Sequence, residues 1–265
     1  MEVTVVMSVY NGEKTIIKAI ESILEQTFKN FEFIIVDDGS TDKTFEILEY
    51  YKNKDNRIFI VKQIRRGLAY SLNYALDLSK GIYIVRQDAD DVSLSDRIEK
   101  QINFIKRSNL DIVSSYAYLV NEKGVIIKLE RRPLSHNDIV SGLKRHNCIL
   151  HPTVVFRKEA IISIGGYNPE YKLTQDYELY LKAIQKGLRF GCFPEPLVKI
   201  THSSEAISVK DRRRQLFYAI SAQSKYFASQ EKIRLIYVFY IMNHIVKILI
   251  PIWMRNLRAW LRNRL

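Results

Sequence analysis

Hydrophobic and polar residues follow two different periods along the N-terminal part of the chain. Short apolar runs of strand length occur at Val3–Tyr10, Phe31–Val36, Arg57–Val61 and Ile82–Val85. The intervening segments repeat apolar residues every three or four positions, as helices do; they cover residues 15–26, 43–51 and 68–78. Strands that alternate with helices predict an α/β fold, in which helices flank a mainly parallel, Rossmann-like sheet.

The pattern is less regular after residue 110. Strands are predicted at Asp111–Val120 and Val154–Phe156, with a hairpin arm at Val125–Leu129. Helices are predicted at His136–Arg145 and Thr174–Lys186.

Polar residues follow three of the predicted strands at the point where each strand ends. These sets are Tyr10-Asn11-Gly12, Asp37-Asp38-Gly39-Ser40 and Asp88–Asp91. Ligands of open α/β sheets bind beyond the carboxyl ends of the strands. The three sets are therefore expected to lie together at one edge of the sheet and to form a site.

The second set belongs to the sequence D-D-G-S-T-D at residues 37–42. A turn from strand to helix accounts for Gly39, Ser40 and Thr41, because glycine and short hydroxyl residues favour such turns and helix starts. It does not account for two acids at the end of a buried strand. We assign a functional role to Asp38 and leave Asp37 open.

The third set, D-A-D-D, places three carboxylates within four positions, so their mutual repulsion must be offset. One possibility is ion pairing with Arg86, Arg65 or Arg66. The other is a divalent cation, because Mg²⁺ and Mn²⁺ are commonly held by one or two carboxylates together with phosphate oxygens. If the strand continues, Asp88 and Asp90 point to the same side. The spacing favours a cation bound together with a diphosphate.

Composition and charge indicate the cellular compartment of the protein and the kind of partner it binds. The 265-residue chain is 47% hydrophobic, which is ordinary for a globular core. Its two cysteines, Cys148 and Cys192, have no metal-binding spacing and fit a reducing cytosol. The net charge of +12 is concentrated in residues 210–265, which contain twelve Lys and Arg residues and only two acids. A localised basic segment indicates an anionic partner.

The basic segment combines charge with apolar residues. Basic residues spaced near one helical stripe run from His244 to Arg262, while Trp253 and Trp260 fall largely off that stripe. A helix with a basic face and an apolar face is typical of a segment lying in a membrane surface. A helix packed on the preceding domain, with its basic side in solvent, is the alternative. Residues 233–254 are long enough to span a bilayer, but several polar residues and Pro251 interrupt them.

The ordered motifs resemble family 2 glycosyltransferases of the GT-A fold. The resemblance rests on S-V-Y-N-G-E, V-D-D-G-S-T-D, the R-G-x-x-x-x-L-N segment, R-Q-D-A-D-D followed by D-R-I-E-K-Q, H-P-T-V-V-F-R, G-G-Y-N and T-Q-D-Y-E-L-Y-L. It covers roughly residues 3–205. It implies an inverting enzyme that uses a nucleotide-diphosphate sugar and a divalent cation, Mn²⁺ or Mg²⁺.

The resemblance also implies roles for individual residues. Asp176 takes the position of the catalytic base, and Asp90 and His202 take positions that contact the metal or the diphosphate. The positions expected to bind the nucleotide are Val9, Tyr10, Glu13, Asp38, Arg65 and Asp88. Polymer-forming synthases of the family carry Q-x-x-R-W after the base, whereas Gln215 is followed here by Leu-Phe-Tyr. Transfer of one sugar per encounter is therefore expected.

These observations predict a GT-A catalytic domain at residues 1–209, followed by a membrane-associating helical tail at 210–265. Within the domain, residues 1–110 are expected to bind the nucleotide sugar, a UDP-sugar, and residues 111–209 are expected to bind the acceptor. The expected acceptor is a glycan or lipid-linked hydroxyl of a surface polysaccharide, at the cytoplasmic face of the membrane.

Two other functions are compatible with parts of the pattern. A sugar-phosphate nucleotidyltransferase has a similar architecture, but its glycine-rich N-terminal loop is absent from this sequence. A nucleic-acid-binding protein would explain the basic charge. That charge is segregated into an apolar-rich segment, and no zinc or RNA-recognition signature appears, so nucleic acid is not expected as a partner.

Overall fold

A computed structural model describes residues 1–202, 211–228 and 242 of the chain. The strands are β1 Val3–Val9, β2 Phe31–Asp37, β3 Ile58–Lys62, β4 Tyr83–Asp88, β5 Val92–Ser93, β6 Ile112–Val120, β7 Ile126–Glu130, β8 Val155–Arg157 and β9 Phe190–Thr201. The helices are α1 Ile16–Leu24, α2 Thr44–Lys54, α3 Leu68–Leu78, α4 Arg97–Arg107, α5 His136–Leu143, α6 Lys158–Ile162, α7 Gln175–Gln185 and α8 Arg212–Ala228, with a short 3-10 turn at His151–Thr153.

The strands form one nine-stranded sheet in the order β3-β2-β1-β4-β8-β6-β9-β5, with β7 paired to β6. Strands β1 to β4 are parallel, as the sequence predicts. Strand β8 then runs antiparallel between β4 and β6, and β6 pairs in parallel with β9. The first half of the sheet is thus parallel, and the second half is mixed.

Alternate residues of the central strands pack into two hydrophobic cores on opposite faces of the sheet. On β1, Val5 and Met7 belong to one core and Val6 to the other, and all three are almost completely buried. Alternation across a strand produces this division. Helices α1 and α4 cover one face, while α3 and α7 cover the other.

The strand register brings the predicted polar sets together. Val9 is aligned with Asp37, and Ser8 is aligned with Asp88. The ends of β1, β2 and β4 therefore meet at one edge, as the sequence analysis predicts.

Helix α8 packs on the domain and extends the core. Ala222, Tyr226 and Phe227 are buried in the same core as the residues of α7, and the Gln223 side chain donates a 2.8 Å hydrogen bond to the Tyr177 hydroxyl. The beginning of the predicted tail is therefore packed against the residues assigned to the catalytic domain. The basic stripe from His244 to Arg262 lies outside the described residues. Within the described ranges, no helix is long and apolar enough to cross a membrane.

Candidate active site

The loops that follow β1 and β2 are joined by a set of hydrogen bonds at the site edge. The Asn11 side-chain oxygen accepts a hydrogen bond from the Thr41 backbone amide at 2.8 Å, and the Asn11 backbone amide donates to the Ser40 hydroxyl. Glu13 connects to the same loop, because its carboxylate accepts from the Lys43 amide and its own amide donates to Asp42. These bonds fix two of the three polar sets relative to each other.

The two acids that end β2 have different surroundings. Asp37 is fully buried; one of its oxygens accepts from the Ser40 amide, and the other has no partner among the described residues. Asp38 accepts hydrogen bonds of 2.8 Å from the amides of Arg66 and Gly67 and one of 2.7 Å from Gln63. Asp37 thus shapes its own turn, whereas Asp38 holds the loop between β3 and α3.

That loop positions Arg65 against Tyr10. The Arg65 guanidinium lies 3.7 Å from the centre of the Tyr10 ring, within the range of a cation–π contact. Gly39 permits this approach, because it has a positive φ of 80° and a Cβ there would come within 2.8 Å of the Arg65 amide nitrogen. Two residues expected to bind the nucleotide are therefore in contact at an accessible position.

Two buried arginines lie beneath the D-A-D-D segment. Arg86 is completely buried and pairs with Asp88 at 2.5 Å. Although burial disfavours its charge, the neighbouring Asp88 raises the pKa of Arg86. Arg97 is also completely buried and donates to the carbonyl oxygens of Arg86 and Pro152. Ion pairing with arginine, one of the two possibilities raised by the sequence, thus offsets part of the acidic charge.

The charged forms of Asp90 and Asp91, the two remaining acids of this segment, are disfavoured by their surroundings. Crowding by protein atoms and the charge of Asp88 raise the pKa of Asp90 to about 6, although Asp90 itself is accessible to solvent. Burial, followed by the charges of Asp88 and Asp90, raises the pKa of Asp91 well above its usual range. The Asp91 carboxylate accepts from the Thr201 amide at 2.9 Å. Carboxylates with raised pKa values gain stability from an added cation.

The end of β9 contacts these acids through Thr201, the residue before His202. The Thr201 hydroxyl donates to the Asp90 carbonyl at 2.6 Å, and the His202 amide donates to the Val120 carbonyl at 2.8 Å. Among the described residues, no group of three or more His, Cys, Asp or Glu side chains has the geometry of a complete metal site. One or two carboxylates that share a cation with a diphosphate need no complete protein cage, so Asp88 and Asp90 fit such a cation.

Asp176 lies in the first turn of α7 and is partly buried. The Asn147 side-chain amide donates to its carboxylate at 2.8 Å. Burial raises the pKa of Asp176, and the hydrogen bonds from Tyr177 and Asn147 and the charge of Arg86 oppose this shift. A carboxylate that is held in place and has a raised pKa can accept a proton.

A buried cluster of rings supports this part of the site. The His151 Nδ1 atom is 2.7 Å from the Tyr180 hydroxyl, and its Nε2 atom is 3.4 Å from the Tyr167 hydroxyl. Burial and the charge of Arg86 hold the pKa of His151 well below its usual range, so the ring is neutral. His151 therefore orders two tyrosines and does not supply charge to the site.

Asn73 connects this cluster to helix α3. Its side chain accepts from the Tyr167 amide at 2.9 Å and donates to the Tyr167 carbonyl at 2.8 Å. Gly166 has a positive φ of 61°, and a Cβ there would come within 2.6 Å of the Asn73 side-chain oxygen. The G-G-Y turn is thus clamped onto α3.

The expected site residues differ in how accessible they are to a ligand. Val9 is almost fully buried, and its carbonyl oxygen accepts from the Asp38 amide. Glu13 and Asp38 are engaged in the loop contacts described above. Tyr10 and Asp90 are open to solvent. The individual ligand contacts of these residues remain predictions, while their assembly at one edge is an observation.

Sequence reasoning gave no role to Arg97, Asn147 or Asn73. The signal for Arg97 was the apolar repeat Ile98, Ile102 and Ile105, which marks one face of α4 as buried. Asn73 ends the R-G-x-x-x-x-L-N segment, but no local pattern indicates a partner for Asn73 or for Asn147, because each partner lies far away in the sequence.

The fold and the site define a glycosyltransferase. The sequence model of glycosyl transferase family 2 matches residues 4–165, and the chain belongs to this family. The O-antigen biosynthesis glycosyltransferase WbnJ of Escherichia coli is 37% identical over 187 residues, which cover 69% of this chain and 72% of WbnJ.

A second relative matches almost the whole chain. The UDP-Gal:alpha-D-GlcNAc-diphosphoundecaprenol beta-1,3-galactosyltransferase of Escherichia coli is 27% identical over 266 residues, covering 97% of this chain and 94% of the relative. Among solved structures, S. aureus TarS 1-349 in complex with UDP-GlcNAc has a TM-score of 0.72 at 21% identity and covers 92% of this chain and 72% of that chain. The structural likeness confirms the GT-A fold.

Proposed function

We propose that this protein is an inverting, metal-dependent hexosyltransferase that moves one sugar from a UDP-sugar to a hydroxyl of a lipid-linked glycan in surface polysaccharide synthesis. The observation that carries the proposal is the placement of the carboxylates. Asp88 and Asp90 lie at the edge where β1, β2 and β4 end. Asp176 lies in the first turn of α7, and its charge interacts with that of Arg86, which pairs with Asp88.

The donor would bind along the edge formed by the first two loops and the D-A-D-D segment. Tyr10 and Arg65 offer a ring and a guanidinium for the base and the diphosphate, and Asp38 and Asp88 offer carboxylates for the base and the ribose. Val9 and Glu13 line the same loop. Asp90 and His202 would hold Mn²⁺ or Mg²⁺ together with the diphosphate. Such a cation stabilises negative charge on a departing diphosphate when it is bound.

Asp176 would act as the general base. Its carboxylate would take the proton from the acceptor hydroxyl while the hydroxyl oxygen attacks the anomeric carbon, and the bond from that carbon to the diphosphate oxygen would break. One displacement from the opposite face inverts the anomeric configuration. Burial of Asp176 supports this role because a raised pKa strengthens the carboxylate as a base.

The choice of substrates rests on the relatives. One relative is named for transfer of galactose from UDP-Gal to an acceptor linked to diphosphoundecaprenol, and another for transfer of glucose from UDP-Glc to the same kind of acceptor. A UDP-hexose and a lipid diphosphate acceptor are therefore the first substrates to test. An enzyme acting on such an acceptor would work as a peripheral protein at the cytoplasmic face of the membrane.

The test is a transfer assay with UDP-glucose, UDP-galactose and UDP-N-acetylhexosamines, using diphosphoundecaprenol-linked GlcNAc as acceptor. With Mn²⁺ present, one donor should give a product whose new linkage is β when the donor is α, measured by proton NMR. Asp90→Asn should reduce transfer and also weaken Mn²⁺-dependent UDP binding. A retained α configuration would overturn the inverting mechanism, and full activity in EDTA would overturn the metal requirement.

A further inference from the structure

The hairpin formed by β6 and β7 protrudes from the domain. Residues 122–128 are all exposed, including the first three residues of β7. Ile126 and Ile127 point to opposite faces of the strand because successive side chains alternate, yet they are 50% and 52% exposed. A strand normally buries at least one face, so this arm stands clear of the core on both sides.

The exposed arm is apolar at its tip. Val125, Ile126 and Ile127 form an uninterrupted run of large β-branched residues, and Val125 is 60% exposed. Leaving such a run in water is costly, and contiguous exposed apolar patches usually mark contact sites.

Basic residues border this apolar run. Lys123 precedes it and Lys128 follows it, and Arg131 and Arg132 come after the strand. Glu130 pairs with Lys128 and Arg132, whereas Lys123 and Arg131 have no ion-pair partner within the described part of the chain. An apolar tip with net positive surroundings complements an anionic bilayer surface, where cations contact headgroups and aliphatic groups enter the acyl boundary.

The hairpin projects next to the candidate active site. Val120, the last residue of β6, accepts a hydrogen bond from His202, and Thr201 beside it is bonded to Asp90 and Asp91. A hairpin tip anchored in the bilayer surface would therefore bring the D-A-D-D edge to the level of lipid headgroups, where the diphosphate of a lipid-linked acceptor lies.

We infer that the tip of the β6–β7 hairpin, residues 123–128, is a membrane-contacting element that inserts Val125, Ile126 and Ile127 into an anionic bilayer and positions the active site over its lipid-linked acceptor. The role in presenting the acceptor rests on the proposed function. The membrane contact itself is independent of it. It is also distinct from the basic stripe at His244–Arg262, because the hairpin belongs to the catalytic fold.

The contact can be measured at one position on the full-length protein. A single cysteine introduced as Ile126→Cys carries an environment-sensitive fluorophore, and native Cys148 and Cys192 are buried and protected from labelling. Ile82→Cys is the matched control, because Ile82 is 59% exposed and precedes β4, whose other end carries Asp88. Both proteins are titrated with vesicles of phosphatidylglycerol and phosphatidylcholine, and their Mn²⁺-dependent UDP binding is measured in parallel.

We expect a blue shift of the fluorophore at position 126 on anionic vesicles and none at position 82. Ile126→Ser with Ile127→Ser should weaken vesicle binding at least about tenfold, while Leu78→Ser with Ile82→Ser should leave it unchanged. No shift at position 126 in vesicle-bound protein would overturn the inference, as would failure to bind vesicles. A shift at position 126 without vesicles at high protein concentration would overturn it in favour of pairing between hairpins of two chains. Failure of both labelled proteins to bind UDP in the presence of Mn²⁺ would contradict the proposed function instead.

Discussion

Asp176 experiences opposing influences from the residues around it. Burial raises its pKa, while the Asn147 amide and the Arg86 guanidinium favour the ionised carboxylate. Burial, together with the charge of Asp176, raises the pKa values of the Tyr167 and Tyr180 hydroxyls. The proposed base is therefore held in place and kept ionisable by the residues around it.

Asn147→Ala should shift the pH dependence of transfer. Removing the 2.8 Å hydrogen bond takes away a group that lowers the pKa of Asp176, so that pKa should rise further. Because the base acts in its ionised form, the acidic limb of the pH profile should shift to higher pH. The measurement is kcat against pH.

Asn147→Ser, which retains a donor, should restore part of the original profile. A uniform drop in kcat with an unmoved acidic limb would mean that Asn147 serves only to hold the backbone.

Elements differ in how far their sequence predicts them. Helix α3 begins and ends at the predicted residues, because its apolar period is regular and Gly67 precedes it. Strand β9 escapes prediction because it contains Pro194 and Pro196, and proline is rare within central strands. The sheet accommodates them through a shift in register between β6 and β9, where Ser115 pairs with Phe193 and the next residue pairs with Pro196.

The site could be predicted only where it follows strand ends. The D-A-D-D segment and D-D-G-S-T-D lie directly after strands, so a parallel sheet brings them together. The contact of Asn73 with Tyr167 joins residues 94 positions apart, and the buried position of Arg97 depends on carbonyl groups from two other segments. Such contacts depend on tertiary packing, so the local sequence does not reveal which groups become partners.

Asn73→Ala should destabilise the clamp between α3 and the G-G-Y turn. It removes two hydrogen bonds to the Tyr167 backbone, which should lower the free energy of unfolding by about 2 kcal/mol, at about 1 kcal/mol for each bond. Urea unfolding measures the change, and Tyr74→Ala on the exposed side of the same helix is the control. A loss no larger than that of the control would show that the clamp does not contribute to stability.

At the scale of the whole molecule, the catalytic fold extends through α8, and the predicted membrane segment follows it. Residues 233–265 contain six Lys and Arg residues and no acids, and each basic residue near an anionic bilayer contributes about 1 kcal/mol. Cutting the chain after residue 232 preserves the packing of Tyr226 and Phe227.

Deletion of residues 233–265 should therefore greatly reduce sedimentation with anionic vesicles while UDP binding persists. For the full-length protein, high salt should weaken attachment only partly, because apolar burial is insensitive to screening. Full retention of the truncated protein on vesicles would contradict a membrane role for the tail.

The central claim is that Asp176 is the base of a sugar-transfer reaction at this site. The most direct measurement compares Asp176→Asn with the wild-type protein in two assays, steady-state transfer and UDP binding with Mn²⁺. The substitution preserves the shape of the side chain and removes the proton-accepting carboxylate. Turnover should fall by about 10²–10⁴-fold, with donor affinity unchanged. Transfer at the wild-type rate by a variant that binds UDP normally would contradict the account.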